Sequence, residues 1–161
     1  MTPGLRPTVA VLMLLALGGC VFATPFRGPG YDAKTGVTAE GTDKVVVALT
    51  KAVLRGDRRK RSEFWEHVFD VEASLSEQPG LIGYSLRRQM FGPVAWTMTV
   101  WTDEASLTAF VQGDTHQAAI AEGFAALETA GFARFEADRT EIPLAWDRAI
   151  EVLEKSERSY D

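Results

Sequence analysis

The sequence predicts one α+β domain over residues 44–161, with the element order β-α-β-β-α-β followed by a closing helix. Two observations predict it. Runs rich in β-branched residues alternate with segments in which apolar residues recur at helical spacing. Clusters of Gly, Pro and Asp separate these segments, as expected for turns. The length of 161 residues suits a single domain with a terminal extension.

The first half of this domain contains a strand, a helix and a hairpin. The run KVVVALTKAVL is dense in β-branched residues and ends at Arg55-Gly56-Asp57, which predicts a strand. An apolar stripe that includes Phe64 and Val68 predicts a helix, which ends at Gln78-Pro79-Gly80. Phe91-Gly92-Pro93 is a connection suited to an antiparallel hairpin. The predicted elements are a strand over 44–54, a helix over 61–76, and strands over 81–90 and 94–102.

The second half contains two helices, a fourth strand and the closing helix. Thr102 or Asp103 caps a short helix that Gly113 interrupts, and Gly131 favours the end of the next helix. After Pro143, apolar residues at helical spacing mark an amphipathic helix. The predicted elements are a short helix carrying Leu107, Phe110 and Val111, a helix over 115–129, a strand over 132–140, and a helix carrying Trp146, Ala149, Ile150 and Leu153. This order predicts a ferredoxin-like arrangement.

Both faces of the predicted sheet are apolar. In the first strand Val45, Val47 and Leu49 lie on one face, while Val46 and Ala48 lie on the other. The third strand likewise carries large apolar residues on both faces. The predicted helices are too few to cover two faces, so we expect a second copy of the chain to pack sheet against sheet. The sequence therefore predicts a homodimer.

The first 43 residues predict export and membrane attachment. Arg6 precedes an apolar run over residues 9–17, which is too short to cross a bilayer core of about 30 Å. Leu17-Gly18-Gly19-Cys20 resembles the lipobox of bacterial lipoproteins, which implies cleavage before Cys20 and acylation of that cysteine. We therefore expect a signal peptide over residues 1–19, a lipid anchor at Cys20 and a Gly-rich flexible tether over 20–43. The protein would lie on the extracytoplasmic side of a membrane in the cell envelope.

Composition excludes several functional classes. The net charge of −5 and the pI near 5.1 argue against nucleic-acid binding. One cysteine excludes a disulfide framework, and two histidines leave no zinc finger or ribbon, so no metal site is predicted. No phosphate-binding loop, flavin motif or Ser-His-Asp pattern rises above background.

Three segments resemble the antibiotic biosynthesis monooxygenase family, namely residues 79–84, 100–110 and 116–119. Their most specific features are a strand ending in Val100-Trp101, an acidic helix start, the pair Ala109-Phe110, and His116 followed by Ala119. The resemblance covers roughly residues 44–140 and implies a dimeric α+β barrel. Members include cofactor-free oxygenases of phenolic polycycles and haem-degrading enzymes, so the resemblance indicates the fold better than the activity.

The haem-degrading branch of this family uses an Asn from the first strand, a Trp on a helix and a His further along the chain. Here Phe110 occupies the Trp position and Ile120 the His position, and the sequence contains no asparagine. His116 lies one helical turn before the haem-ligand position. The resemblance therefore implies no cofactor, although haem binding without degradation stays open.

Aromatic and polar residues on the predicted strands and helices form a candidate pocket. Cofactor-free oxygenation needs an apolar pocket and a group that removes a phenolic proton. His116 is the candidate catalytic base, because imidazole titrates near neutral pH and a helix start favours its neutral form. The alternatives are that the aromatic set is plain core and that His116 only ends a helix. The candidate pocket residues are Tyr84, Arg88, Trp96, Met98, Trp101 and Phe110.

Two functions follow from these observations. The first is a lipid-anchored, cofactor-independent monooxygenase acting on a small aromatic or apolar substrate. The second is a non-catalytic module of the envelope that binds or senses a small ligand or haem. His116 and the family resemblance favour the enzyme, whereas the missing asparagine and the lack of a clearly activated residue favour the binding module. The basic run Arg58–Arg61 is interpreted as a solvated loop or as a contact with anionic lipid.

Overall fold

The structure is a computed structural model that describes residues 20–41, 43–156 and 158–160. The predicted signal peptide over residues 1–19 lies outside the described residues. No helix of the described part is long and apolar enough to cross a membrane. The elements are β1 (Val21–Ala23), β2 (Tyr31–Asp32), β3 (Gly36–Val37), β4 (Lys44–Leu54), α1 (Arg58–Leu75), β5 (Leu81–Gln89), β6 (Val94–Trp101), α2 (Glu104–Gln112), α3 (Asp114–Gly123), β7 (Leu127–Asp138), α4 (Trp146–Ser156) and β8 (Arg158–Tyr160).

The main sheet has six antiparallel strands in the order β1-β5-β6-β4-β7-β8. Its four central strands follow the β-α-β-β-α-β order, and α1, α2 and α3 connect them on one face. This confirms the predicted ferredoxin-like α+β fold and the closing helix. Local signals explain the helix starts, because the carboxylate of Asp57 accepts from the Lys60 amide and that of Asp103 accepts from the Ser106 amide at 2.7 Å.

Two element boundaries differ from the predictions. Helix α1 begins at Arg58 rather than near residue 61, because Asp57 caps it, so the basic run forms the first helical turn instead of a loop. Helix α3 ends at Gly123, and residues 127–131 extend β7 rather than the helix. The eleven-residue strand β4 pairs with β7 along its length, with a shift of register next to Leu54. This pairing outweighs the helical propensity of an Ala-rich segment.

The face of the sheet under α1, α2 and α3 carries a compact aromatic and aliphatic cluster. Trp101 is fully buried at its centre, where Leu81 and Leu107 contact it from the strand and helix sides. Val46 and the partly buried Ala48 are alternate residues of β4, and a register shift in β5 places both Leu81 and Tyr84 in the cluster. Its buried members are Val46, Leu75, Leu81, Tyr84, Trp101, Leu107 and Phe110.

The opposite face of the sheet is covered by the same chain. Helix α4 places Ala149 and Leu153 on it, both at most 2% exposed, and Phe26 and Tyr31 pack against it from the N-terminal side. The prediction that only a second copy of the chain would cover this face is therefore wrong. It treated residues 20–43 as a tether, whereas part of this segment packs on the sheet. The homodimer itself stays a prediction, but an apolar sheet face no longer requires it.

Residues 20–39 form an ordered layer on the sheet rather than a flexible tether. Strand β1 pairs with the end of β5, and the backbones of Arg27 and Tyr84 exchange hydrogen bonds of 3.1 and 2.8 Å. Two of the glycines that suggested flexibility, Gly28 and Gly30, permit close backbone approach instead. A Cβ at Gly28 would lie 2.3 Å from the Cα of Gly83, so no side chain fits there. Cys20 at the start of this layer is exposed and free.

Candidate functional site

Three aromatic rings form a continuous stack on the helix-covered face of the sheet. The ring centroids of Trp101 and Phe110 are 5.0 Å apart, and those of Phe110 and His116 are 4.8 Å apart. The stack runs from β6 through α2 to the first turn of α3. Three of the predicted site residues, Trp101, Phe110 and His116, are thus brought together, with the histidine at the outer end.

His116 is held as a neutral imidazole. Burial lowers the pKa of His116 below its ordinary value, and a backbone hydrogen bond with Val111 opposes this only in part. Its Nδ1 atom is buried and has no hydrogen-bond partner among the described residues. A neutral imidazole with an unpartnered nitrogen has the protonation state that a general base requires.

Tyr84 lies on the same face of the sheet as Trp101 and belongs to a charged network that no sequence pattern indicates. The Nε of Arg27 donates to the Tyr84 hydroxyl at 3.1 Å, and the Arg27 guanidinium pairs with Glu72 at 2.8 Å. Burial raises the pKa of the Tyr84 phenol, although the hydrogen bond from Arg27 acts in the opposite direction. The phenol therefore stays protonated near neutral pH and links the N-terminal layer to α1.

Trp96 and Met98 do not join this group, because they lie on the opposite face of the sheet. Met98 is 1% exposed in the core beneath α4. Trp96 contacts the Arg87 guanidinium, whose Cζ lies 5.7 Å from its ring centroid and 5.9 Å from that of Trp146. The predicted single pocket lined by Trp96, Met98 and Trp101 is therefore wrong, since alternate residues of one strand point to opposite faces.

A cleft of about 230 Å³ lies at the β5–β6 hairpin, between the hairpin and the start of α1. Arg61 donates from Nη2 to the carbonyl of Gly92 at 2.9 Å, which fixes one wall against the other. The Arg88 guanidinium lies 5.3 Å from the ring centroid of Trp65. Of the predicted pocket residues, Arg88 lines this cleft. The lining residues are Leu54, Arg61, Trp65, Arg88, Gln89, Met90, Phe91, Gly92, Pro93 and Val94.

The side chains that line the cleft are better suited to binding a ligand than to transferring a proton to or from it. Arg61 and Arg88 are permanent cations of a kind that pairs with anionic or phenolic oxygens, and Trp65 and Phe91 supply aromatic surface. The lining contains no histidine or carboxylate, so it lacks a group that exchanges protons near neutral pH. Two sequence features belong to this cleft, the basic run Arg58–Arg61 and the aromatic Phe91 at the hairpin turn. Neither feature indicates that the two segments meet.

The residues present do not fit the haem site of the haem-degrading enzymes. Phe110 is buried against Trp101, and Ile120 lies on the exposed surface of α3, so neither position offers an iron ligand. The cleft is also smaller than the roughly 300–1,000 Å³ of typical cofactor sites. Within the described ranges, no group of three or more His, Cys, Asp or Glu side chains is placed to hold a metal ion.

Comparison with known proteins supports a shared fold. Residues 49–122 match the family model described as antibiotic biosynthesis monooxygenase. A conserved protein from Methanosarcina mazei Go1 aligns with a TM-score of 0.52 and 16% identity over 58% of this chain and 92% of its own. No curated protein matches.

Two further solved structures carry the name or activity of the family. A candidate antibiotic biosynthesis monooxygenase from Caulobacter crescentus CB15 aligns with a TM-score of 0.50 and 17% identity, over 60% of this chain and 90% of its own. SnoaB, a cofactor-independent oxygenase from Streptomyces nogalater, aligns with a TM-score of 0.50 and 18% identity, over 63% of this chain and 99% of its own. The comparisons therefore show a ferredoxin-like fold in which residues 49–122 are similar to the antibiotic biosynthesis monooxygenase family.

Proposed function

We propose that this chain is a lipid-anchored protein of the cell envelope whose domain binds a small, largely aromatic or apolar molecule on the extracytoplasmic side of a membrane. The observation that carries the ligand-binding part is the cleft at the hairpin, where Arg88 and Trp65 lie together with exposed apolar residues. In this cleft Arg61 and Arg88 would pair with a phenolic or acidic oxygen of the ligand, and Trp65 would contact its ring.

Attachment to the membrane through Cys20 is the second part of the proposal. The lipobox-like Leu17-Gly18-Gly19-Cys20 supports it, and so does the exposed, unpaired Cys20. The mature chain would begin one residue before β1. Two or three acyl chains on this cysteine give durable attachment, whereas a single chain binds only marginally.

A cofactor-independent oxygenase activity is the second candidate function. The match over residues 49–122 supports it, as does the neutral, buried imidazole of His116. In this scheme His116 removes a phenolic proton from a substrate that reaches the stack of Phe110 and Trp101. The lining of the cleft favours the binding function, because it contains two guanidinium groups and no histidine or carboxylate.

The ligand proposal is tested with 1-hydroxy-2-naphthoate, a fluorescent aromatic acid that matches the chemistry of the cleft. We expect saturable binding of one probe per chain and at least roughly tenfold weaker binding by the Arg88→Gln variant, because a charge-assisted hydrogen bond contributes about 1.5–3 kcal/mol. Arg134→Gln, which removes an exposed arginine paired with Glu104 elsewhere on the surface, is the matched control. Equal affinity in the two variants contradicts the proposal.

The enzymatic candidate is tested by oxygen uptake with the same probe and with 1-naphthol. Turnover that is lost in His116→Ala and retained in His67→Ala supports the oxygenase. Turnover that His116→Ala retains in full removes this residue from the mechanism. Binding without oxygen uptake supports the non-catalytic function.

A further inference from the structure

One end of the sheet, which we call the hairpin end, consists of residues 20–22, 55–61, 88–93 and 124–126. Backbone hydrogen bonds join these segments. The amide of Met90 donates to the carbonyl of Cys20 at 2.8 Å, and the amide of Arg55 donates to the carbonyl of Ala126 at 2.9 Å. The Arg61 side chain adds its bond to Gly92. The hairpin end is therefore one continuous surface with Cys20 on its edge.

Exposed apolar side chains are concentrated on this surface. Seven large hydrophobic residues are exposed in the described part of the chain, and five of them belong to the hairpin end. Phe91 at the hairpin tip is 90% exposed. An exposed aromatic side chain surrounded by further exposed apolar side chains indicates an interaction surface, whereas isolated exposed apolar residues do not. The five residues are Val21, Phe22, Met90, Phe91 and Phe124.

Positive charge is concentrated on the same surface. Residues 55–61 carry five cations and one carboxylate, and Arg88 adds a further cation. The carboxylate of Asp57 is used in capping α1, and Arg59 pairs with Glu63. The opposite end of the sheet is acidic. Its carboxylates are Glu40, Asp43, Glu77, Asp103, Glu104, Asp138 and Glu141, against the cations Lys44, Arg134 and Arg139.

The placement of these cations is unfavourable within the chain itself. Helix α1 has no acidic residue in its first turn, and Arg58, Arg59 and Lys60 lie at the positive end of the helix dipole. A locally unfavourable arrangement is expected where an external partner compensates for it. The partner that fits must be anionic and must also accept aromatic side chains.

We propose that the hairpin end docks on the surface of an anionic phospholipid bilayer. Phe91 and Met90 enter the interfacial region, while Arg58 and Lys60 contact the headgroup phosphates. This inference rests on the proposed acylation of Cys20, which holds this end at the membrane without a spacer. The net negative charge of the chain does not oppose the contact, because the carboxylates at the far end of the sheet point away from the bilayer. A ligand dissolved in the bilayer then enters the cleft directly.

The test uses the full chain, acylated and purified from membranes, in nanodiscs of phosphatidylcholine with or without phosphatidylglycerol. Phe91→Cys carries a thiol-reactive NBD dye at the hairpin tip, and Glu40→Cys carries it at the far end. Because acylation consumes the Cys20 thiol, each variant takes one dye. We expect a blue-shifted emission and quenching by doxyl-labelled lipid for the tip dye in phosphatidylglycerol discs, and neither change for the far-end dye.

A charge variant tests the electrostatic part of the contact. Arg58→Gln with Lys60→Gln, made in the Phe91→Cys chain, should lower the ratio of docked to undocked protein by roughly 30-fold, because each cation near an anionic surface contributes about 1 kcal/mol. Arg148→Gln with Lys155→Gln on α4 is the matched control. A tip dye that stays in water on an acylated protein overturns the docking alone. An intact mass without acyl chains refutes the anchor and the docking together.

Discussion

The indole Nε1 of Trp146 donates a hydrogen bond of 3.1 Å to the hydroxyl of Ser85. The same hydroxyl donates to the carbonyl of Thr24 at 2.7 Å. Ser85 is 2% exposed, and it is the buried polar side chain of the described core. The Ser85 hydroxyl on β5 therefore connects the N-terminal layer to α4. These are the two elements that cover the face of the sheet opposite α1, α2 and α3.

Ser85→Ala is expected to lower the free energy of unfolding by about 1–3 kcal/mol, because it leaves the half-buried indole N–H of Trp146 and the half-buried carbonyl of Thr24 without this partner. Urea denaturation measures the loss, with the exposed Ser62→Ala as control. Combining Ser85→Ala with Trp146→Phe in a double-mutant cycle isolates the pair. Strict additivity of the two changes would show that the bond contributes nothing.

A second prediction concerns the packing of α4 on the sheet. Leu153→Ala should lower the free energy of unfolding by about 2–5 kcal/mol, as is typical for a buried leucine, whereas the half-buried Val152→Ala should have a smaller effect. Because α4 belongs to the same chain as the sheet that it covers, the loss of unfolding free energy should be identical at low and high protein concentration. A loss that shrinks as the concentration rises would indicate that a partner chain covers this face instead.

Much of the fold could be predicted because its signals are local. Asp57 and Asp103 cap helices that the sequence places within a few residues, and Phe91-Gly92-Pro93 marks the hairpin. The N-terminal layer could not be predicted, because glycines that permit close contact, such as Gly28, resemble glycines in a flexible linker. Only the three-dimensional structure shows that Gly28 lies on Gly83.

The candidate site could be predicted only in part, for a related reason. His116, Phe110 and Trp101 lie together because all belong to elements on the helix-covered face. The cleft was missed because Arg61 and Arg88 come from α1 and β5, and no spacing in the sequence relates them. Its position beside Cys20 depends on the pairing of β1 with β5.

A third prediction concerns the proposed anchor. Cys20→Ser should move the protein from the membrane fraction to the soluble fraction, because the serine hydroxyl does not accept the thioether-linked lipid. Fractionation of cells that express the two forms measures the change, and intact mass of the wild-type chain reports the acyl groups. The Arg134→Gln variant should fractionate like the wild type. Unchanged membrane association of Cys20→Ser would refute attachment through this residue.

A fourth prediction follows from the buried imidazole. Burial lowers the pKa of His116 in the folded state, so the unfolded chain binds a proton at this residue more readily. Below about pH 6.5, the ordinary value for histidine, folding stability therefore falls as the pH falls, and this contribution is fully retained above that value.

Urea denaturation at pH 7.5 and at pH 5.5 measures this contribution. His116→Gln should reduce the difference in unfolding free energy between the two conditions, because glutamine does not titrate. His67→Gln on α1, which removes the other histidine of the chain, is the matched control. If His116→Gln shows the full wild-type difference, the imidazole is solvated and protonated in the folded state. His116 would then lack both the neutral form and the shielded position that the oxygenase candidate requires.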